Sequence, residues 1–232
     1  MTKDNFHQQH LNRLEKGENL SPQDEKVRNH ILKSRAKYLA AGKELLDELR
    51  SEGFDIVAVQ DLRASGKKYP RAIPILAKWL PKIKYDALRN DIVRTLSVPW
   101  GKPAAEVLIN EFKRATLDEE KNYRAAIGIA LEAVAQKKHF SDLASIVKDQ
   151  SAGYTRAMVI RALGKINHPD ASDVLLEILQ NGEEVGHILF ALRRLKTKVS
   201  KDRISPYLTH ELPWVRKEAK KLLELQDKLY KN

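Results

Sequence analysis

A residue register that returns five times constrains this chain more than any other feature. Arg89, Arg124, Arg156, Val185 and Arg216 stand 35, 32, 29 and 31 residues apart. Seven residues after each comes a leucine: Leu96, Leu131, Leu163, Leu192 and Leu223. A period near thirty residues holds two short helices and a turn. The unit is clearest from Tyr154 to Asn181, YTRAMVIRALGKINHPDASDVLLEILQN. There Met158, Val159, Ala162, Leu163 and Ile166 recur at helical spacing, the chain turns at Asn167-His168-Pro169-Asp170, and Val174, Leu175, Leu176, Ile178 and Leu179 mark a second amphipathic segment.

The same pattern predicts five helix pairs: 71–80 with 85–96, 104–115 with 119–135, 140–148 with 154–166, 171–180 with 183–195, and 202–208 with 213–229. Pro70, Pro103, Pro169 and Pro206 fall at or near the starts of first helices, and Pro213 opens a second one. A missing N–H does little harm there. Upstream, Ser21-Pro22-Gln23-Asp24-Glu25 is a strong helix start. It predicts a helix of about thirty residues, longer than usual, that breaks near Ala40-Ala41-Gly42 and stops at Gly53. A shorter helix is expected over Ile56–Ala64. Residues 1–20 are polar, with a short, loosely docked helix expected over Phe6–Leu14.

Two short helices per unit, an arginine opening the second and a leucine near its close, resemble the HEAT repeat. The short period is similar to the phycobilisome-lyase type. The resemblance covers Tyr69 to about Leu225. It implies an all-α fold: a right-handed α-solenoid of about five HEAT-like helix pairs with an N-terminal helical cap. One pair cannot bury both of its apolar stripes, so pairs stack and join them into one core. The organisation expected is a polar segment (1–20), a helical cap (21–68) and the repeat array (69–232).

Forty-two Lys and Arg face 31 Asp and Glu, a formal net charge of +11. Such an excess favours acidic partners, protein or nucleic acid. It is uneven: residues 51–117 and 182–232 are basic and 118–181 is near neutral. The chain has no cysteine, which removes disulfides, thiolate metal sites and cysteine nucleophiles. The N-terminus lacks an apolar signal region, and no run approaches the roughly 18 apolar residues of a membrane span. A cytoplasmic protein with no membrane partner is expected.

Recurrence at one structural position makes Arg89, Arg124, Arg156 and Arg216 braces between repeats rather than ligand contacts. Five residues further along the same helices stand Arg94, Ile129, Arg161, Phe190 and Lys221, with Lys165, Arg193, Arg194, Lys217 and Lys220 nearby. The resemblance implies that second helices line the concave face. These cations then form a strip for an acidic partner, and an ordinary solvated helix face is the competing reading. Trp100 and Lys102, in a loop between repeats, either anchor a partner or plug the gap, and the plug is favoured. Trp79 is read as core and Trp214 as a staple onto the preceding helix.

Catalytic signatures are missing. There is no HExxH, no His pair at i, i+4, no P-loop, no GxGxxG and no GxSxG. His210-Glu211 is a single His-Glu step, too few for a di-iron site. No metal, cofactor or catalytic residue is assigned. HEAT-like alkylpurine DNA glycosylases are the enzymatic comparison, with Asp91 and Trp100 nearest to such a site, but the spacing does not reproduce it and groove aromatics look scarce. The expectation is a non-enzymatic scaffold or adaptor that binds an acidic protein through a basic concave surface. The alternative is nucleic-acid backbone binding, with or without glycosylase chemistry.

Overall fold

A computed structural model describes residues 17 and 20–230 of the chain. The helix expected over Phe6–Leu14 lies outside them. Among the described residues there are thirteen α-helices, short 3₁₀ turns and no strand. None of these helices is long and apolar enough to cross a membrane.

The helix start at Ser21 forms as its residues dictate. Ser21 Oγ accepts from the Asp24 N–H at 3.1 Å, and the Asp24 carboxylate accepts from the Ser21 N–H at 3.3 Å. Helix α1 (Pro22–Ala41) follows, and α2 (Lys43–Ser51) begins beyond Gly42. The expected break is therefore real. Gly42 lets the chain pass close to the body, since a Cβ there would stand 3.0 Å from the Leu88 side chain. The helix expected over Ile56–Ala64 shrinks to α3 (Asp61–Ala64). The Asp61 carboxylate takes the N–H groups of Val57 and Ala58, both at 2.8 Å, and fixes them as a loop.

Five pairs follow. They are α4 (Ala72–Trp79) with α5 (Asp86–Leu96), α6 (Ala105–Arg114) with α7 (Leu117–Val134), α8 (Phe140–Lys148) with α9 (Ala157–Lys165), α10 (Ala171–Leu179) with α11 (Val185–Arg194), and α12 (Lys201–Ile204) with α13 (Pro213–Leu229). Two boundaries differ from expectation. A 3₁₀ run over Gln150–Arg156, kinked at Gly153 with φ +53°, delays α9. Helix α12 gives way to 3₁₀ turns at Ser205–Thr209, where Pro206 removes a donor.

The second helices α5, α7, α9, α11 and α13 pack side by side in one layer, and the first helices form the other. Helix α2 lies on α4, and α1 on α5, so the cap continues the array. One core runs unbroken from Leu45 to Leu222. Burying each leucine in it contributes roughly 1.5–3 kcal/mol. The chain is thus an all-α solenoid. Within the second-helix layer, α9 and α11 approach closely at Gly164, where a Cβ would fall 2.6 Å from that of Ala191.

Candidate binding face of the second helices

The register arginines are consumed by the scaffold. Arg124 donates to the Ala115 carbonyl at 3.2 Å and Arg156 to that of Val147 at 2.9 Å, each nine residues back at the end of its own first helix. A cation suits a helix C-terminus. Arg156 also pairs with Glu183 of the next unit. Arg216 holds the carbonyls of His210 and Glu211 at 2.7 and 2.8 Å. Arg89 alone reaches mainly forward, to Glu120 at 2.5 Å and Glu111 at 3.4 Å, and lies over the Tyr123 ring at 3.9 Å. The braces expected between repeats therefore act within a repeat for Arg124 and Arg216, and across the joint for Arg89 and Arg156.

Five positions after each register residue the side chains turn to solvent. Arg94 and Ile129 are exposed, while Arg161, Phe190 and Lys221 are half-buried. The positions just before them, Val93, Gly128, Ile160 and Leu189, are buried. This open row is not uniformly cationic. Glu132 accepts from Arg161 Nε at 3.1 Å, and Lys165 Nζ caps the Glu132 and Ala133 carbonyls at 2.8 and 3.0 Å. Glu218 accepts from Arg193 at 2.8 and 3.0 Å and pairs with Lys221 at 2.9 Å. Burial pushes the Glu218 carboxyl up, but hydrogen bonds from Lys221 and Arg193 hold it below the usual carboxylate range. Arg161 and Arg193 also flank the Phe190 ring, at 4.3 and 5.2 Å. Arg94 and Arg194 are exposed and make no ion pair or hydrogen bond among the described residues.

Lys217 and Lys220 stand elsewhere. They occupy the register positions of Gly186 and Leu189, which the next helix buries in the preceding unit. On α13 both are exposed, so they face the end of the stack rather than the open row.

Aromatic residues are more frequent here than the sequence suggests. Tyr154 and Trp214 stand two residues before Arg156 and Arg216, at 54% and 43% exposure, and Ile129 is 52% exposed. Their shared register is the signal that could have found them. Trp214 does staple α13 to α11: its ring lies over Gly186, where a Cβ would meet it at 2.1 Å, and 4.9 Å from the His187 ring. Burial, with Arg161 nearby, pushes His187 down to about 4. Between α5 and α7 the open face sinks into a groove of about 590 Å³, walled by Asn90, Arg94 and Ser97 on one side and Asn122, Ala126 and Ile129 on the other.

The other sequence candidates have structural occupations. Trp100 is half-buried, edge-on to Tyr69 at 5.5 Å, with its indole N–H buried and unpartnered. Lys102 is exposed beside it in sequence. Trp79 donates to Glu48 at 2.7 Å. The Asp91 carboxylate receives Tyr38 OH on one oxygen and Arg63 on the other. Among the described residues no group of three His, Cys, Asp or Glu could hold a metal ion.

Residues 105–185 match the family model described as HEAT repeats. No curated protein and no solved structure matches the chain.

Proposed function

We propose that this chain, whose residues 105–185 match HEAT repeats, is a non-catalytic scaffold whose open second-helix face binds an acidic, partly apolar segment of another protein. A helical-repeat scaffold is what the fold provides; such repeats commonly mediate protein interactions. One observation carries the finer reading. Cationic and apolar side chains, exposed or half-buried, alternate along a single row: Arg94, Ile129, Arg161, Phe190 and Lys221, with exposed Arg194 and Trp214 respectively further along and nearer the start of their helices. A nucleic-acid backbone rewards dense free cations, whereas Glu132 and Glu218 here neutralise the middle and the end of the row. Apolar and aromatic contacts between charged ones suit a peptide. Asn90 and Asn122 add amide groups that can meet a peptide main chain. Asp91, the carboxylate closest to a base-excision role, has both oxygens engaged, which supports the non-catalytic reading.

The test is peptide selection from a random displayed library against the full chain. Enriched peptides should combine Asp or Glu with Leu, Phe or Trp. The double change Arg94→Glu with Arg194→Glu should weaken them more than tenfold, about 1.4 kcal/mol or more, and leave the helical content intact. Binding that survives the double change removes the proposal. Tight, steeply salt-dependent binding of generic duplex DNA in place of peptides would assign the face to nucleic acid. Base release from alkylated DNA would make it an enzyme.

A further inference from the structure

At the other end of the array, α1 is a 20-residue helix without one buried residue. Four of the nine exposed large apolar residues described in the chain gather there: Val27, Ile31, Leu32 and Val57. The helix is tied down near its C-terminal end. Tyr38 OH bonds Asp91 and accepts from the Val59 N–H at 3.2 Å, and Tyr85 OH reaches the Ser34 carbonyl at 3.5 Å. Between α1 and the body runs a groove of about 570 Å³. One helical stripe of α1, including Ile31, Ser34, Arg35 and Tyr38, forms one wall, and Val57 and Tyr85 belong to the other.

One cation, Arg35, lines the groove, and the helix that carries it is strongly basic. Residues 26–38 hold five basic residues and no acidic one. Lys26, Lys33, Arg35 and Lys37 have no ion pair or hydrogen bond among the described residues. The carboxylate in the groove, Asp61, already accepts two main-chain N–H groups at 2.8 Å.

We propose that this groove is a second docking site, separate from the open face, for an acidic amphipathic helix of a partner protein. Ile31, Val57 and Tyr85 receive its apolar stripe, and Arg35 meets its carboxylates, with the lysines of α1 adding a positive field around the groove. The backbone of the walls argues for a helical occupant. Helix α1 satisfies its own main chain, and the N–H groups of Val57, Ala58 and Val59 are taken by Asp61 and Tyr38. No free strand edge remains for an extended peptide to pair with, so the ligand must satisfy its own main chain. Charge argues for an acidic occupant. A second copy of the chain would bring the same basic stretch against itself. Residues 1–16 hold Lys3, Arg13 and Lys16 against Asp4 and Glu15, which supplies no acidic excess. A flat anionic bilayer cannot enter a recess between two elements.

The probe is an end-blocked 18-residue peptide with Leu on one helical face and Glu on the other, titrated into the full-length, isotope-labelled chain. Saturable binding should shift the amide resonances of Ile31, Arg35, Val57 and Ala87 and leave those of Arg94 and Arg194 in place. Ile31→Asp and Arg35→Glu, both at exposed positions, should each weaken it more than tenfold with unchanged circular dichroism. The open-face double variant should bind it normally, so the two sites fail or stand separately. Several results overturn the proposal: no binding, equal binding of a scrambled peptide of the same composition, or shifts centred on Arg94 and Ile129. Binding to vesicles of 30% phosphatidylserine without peptide binding overturns it too. So does a dimer that Ile31→Asp dissociates, or a shift of the resonances of residues 1–16 in Ile31→Asp alone, which would give the groove to another copy or to the chain's own N-terminus.

Discussion

Two arginines at equivalent positions have unequal costs. Arg89 sits among Glu111, Glu120 and Tyr123. Arg124 meets one carbonyl and the Phe112 ring, with its Nε buried and unpartnered, and burial pulls its guanidinium pKa down. Replacing Arg89 with Met takes the nearest cation from Glu120 and one of two from buried Glu111, which keeps Arg114 at 3.0 Å and Tyr123 OH at 2.7 Å, and should cost about 1–3 kcal/mol. Replacing Arg124 with Met removes a poorly satisfied buried charge and should cost under about 1 kcal/mol, or stabilise. Urea unfolding of both variants measures the contrast. His187 gives a pH signature. Its folded pKa, about 4, lies below the roughly 6.5 of an unfolded histidine. Below pH 6.5 the unfolded chain takes up a proton that the folded chain refuses, so stability falls from there towards pH 4. His139, also shifted down by burial, adds to the same slope. His187→Phe should flatten it in thermal melts across that window. Glu184 acts in the opposite sense. Burial and Glu183 raise its pKa against the pull of Arg156, so its penalty grows as pH rises above about 4.3. Glu184→Gln should raise the melting temperature at neutral pH and leave it unchanged below pH 4.

At the scale of elements, α1 is held chiefly by the Tyr38 hydroxyl, with the longer Tyr85 bond to the Ser34 carbonyl beside it. Tyr38 OH joins α1 to Asp91 of α5 and to the Val59 N–H. Tyr38→Phe should cost about 1–2 kcal/mol and speed hydrogen exchange in 22–41 and 57–61 while sparing α7–α11. Most elements could be read before the fold was known, because apolar spacing and Gly or Pro punctuation act locally. The break at Gly42 and all five pairs are of this kind. What escaped was decided by long-range or side-chain contacts. Asp61 turns 56–60 into a loop by capping it, a use that its sequence position does not announce. Arg161, Arg193 and Lys221 look like free cations in sequence, yet Glu132 and Glu218 of neighbouring units take the two arginines and Glu218 of the same helix takes Lys221. Trp214 was legible as a staple but not as a partly exposed ring beside His187.

Across the whole molecule, the third and fourth units offer the next the same surface: a small or apolar pair, Ala157 with Ile160 on α9 and Gly186 with Leu189 on α11, all buried. On α13 that pair is Lys217 and Lys220, exposed to solvent. The molecule is in this sense a polymer whose growth two ammonium groups arrest. Exchanging them for Ala and Leu would restore the propagating surface, and because α1 covers α5 at the other end of the array, two such surfaces would meet each other as a closed two-fold pair. Sedimentation should then show a dimer that increases with concentration, where the parent chain shows far less. The same two positions are where an additional hairpin could be grafted onto the array.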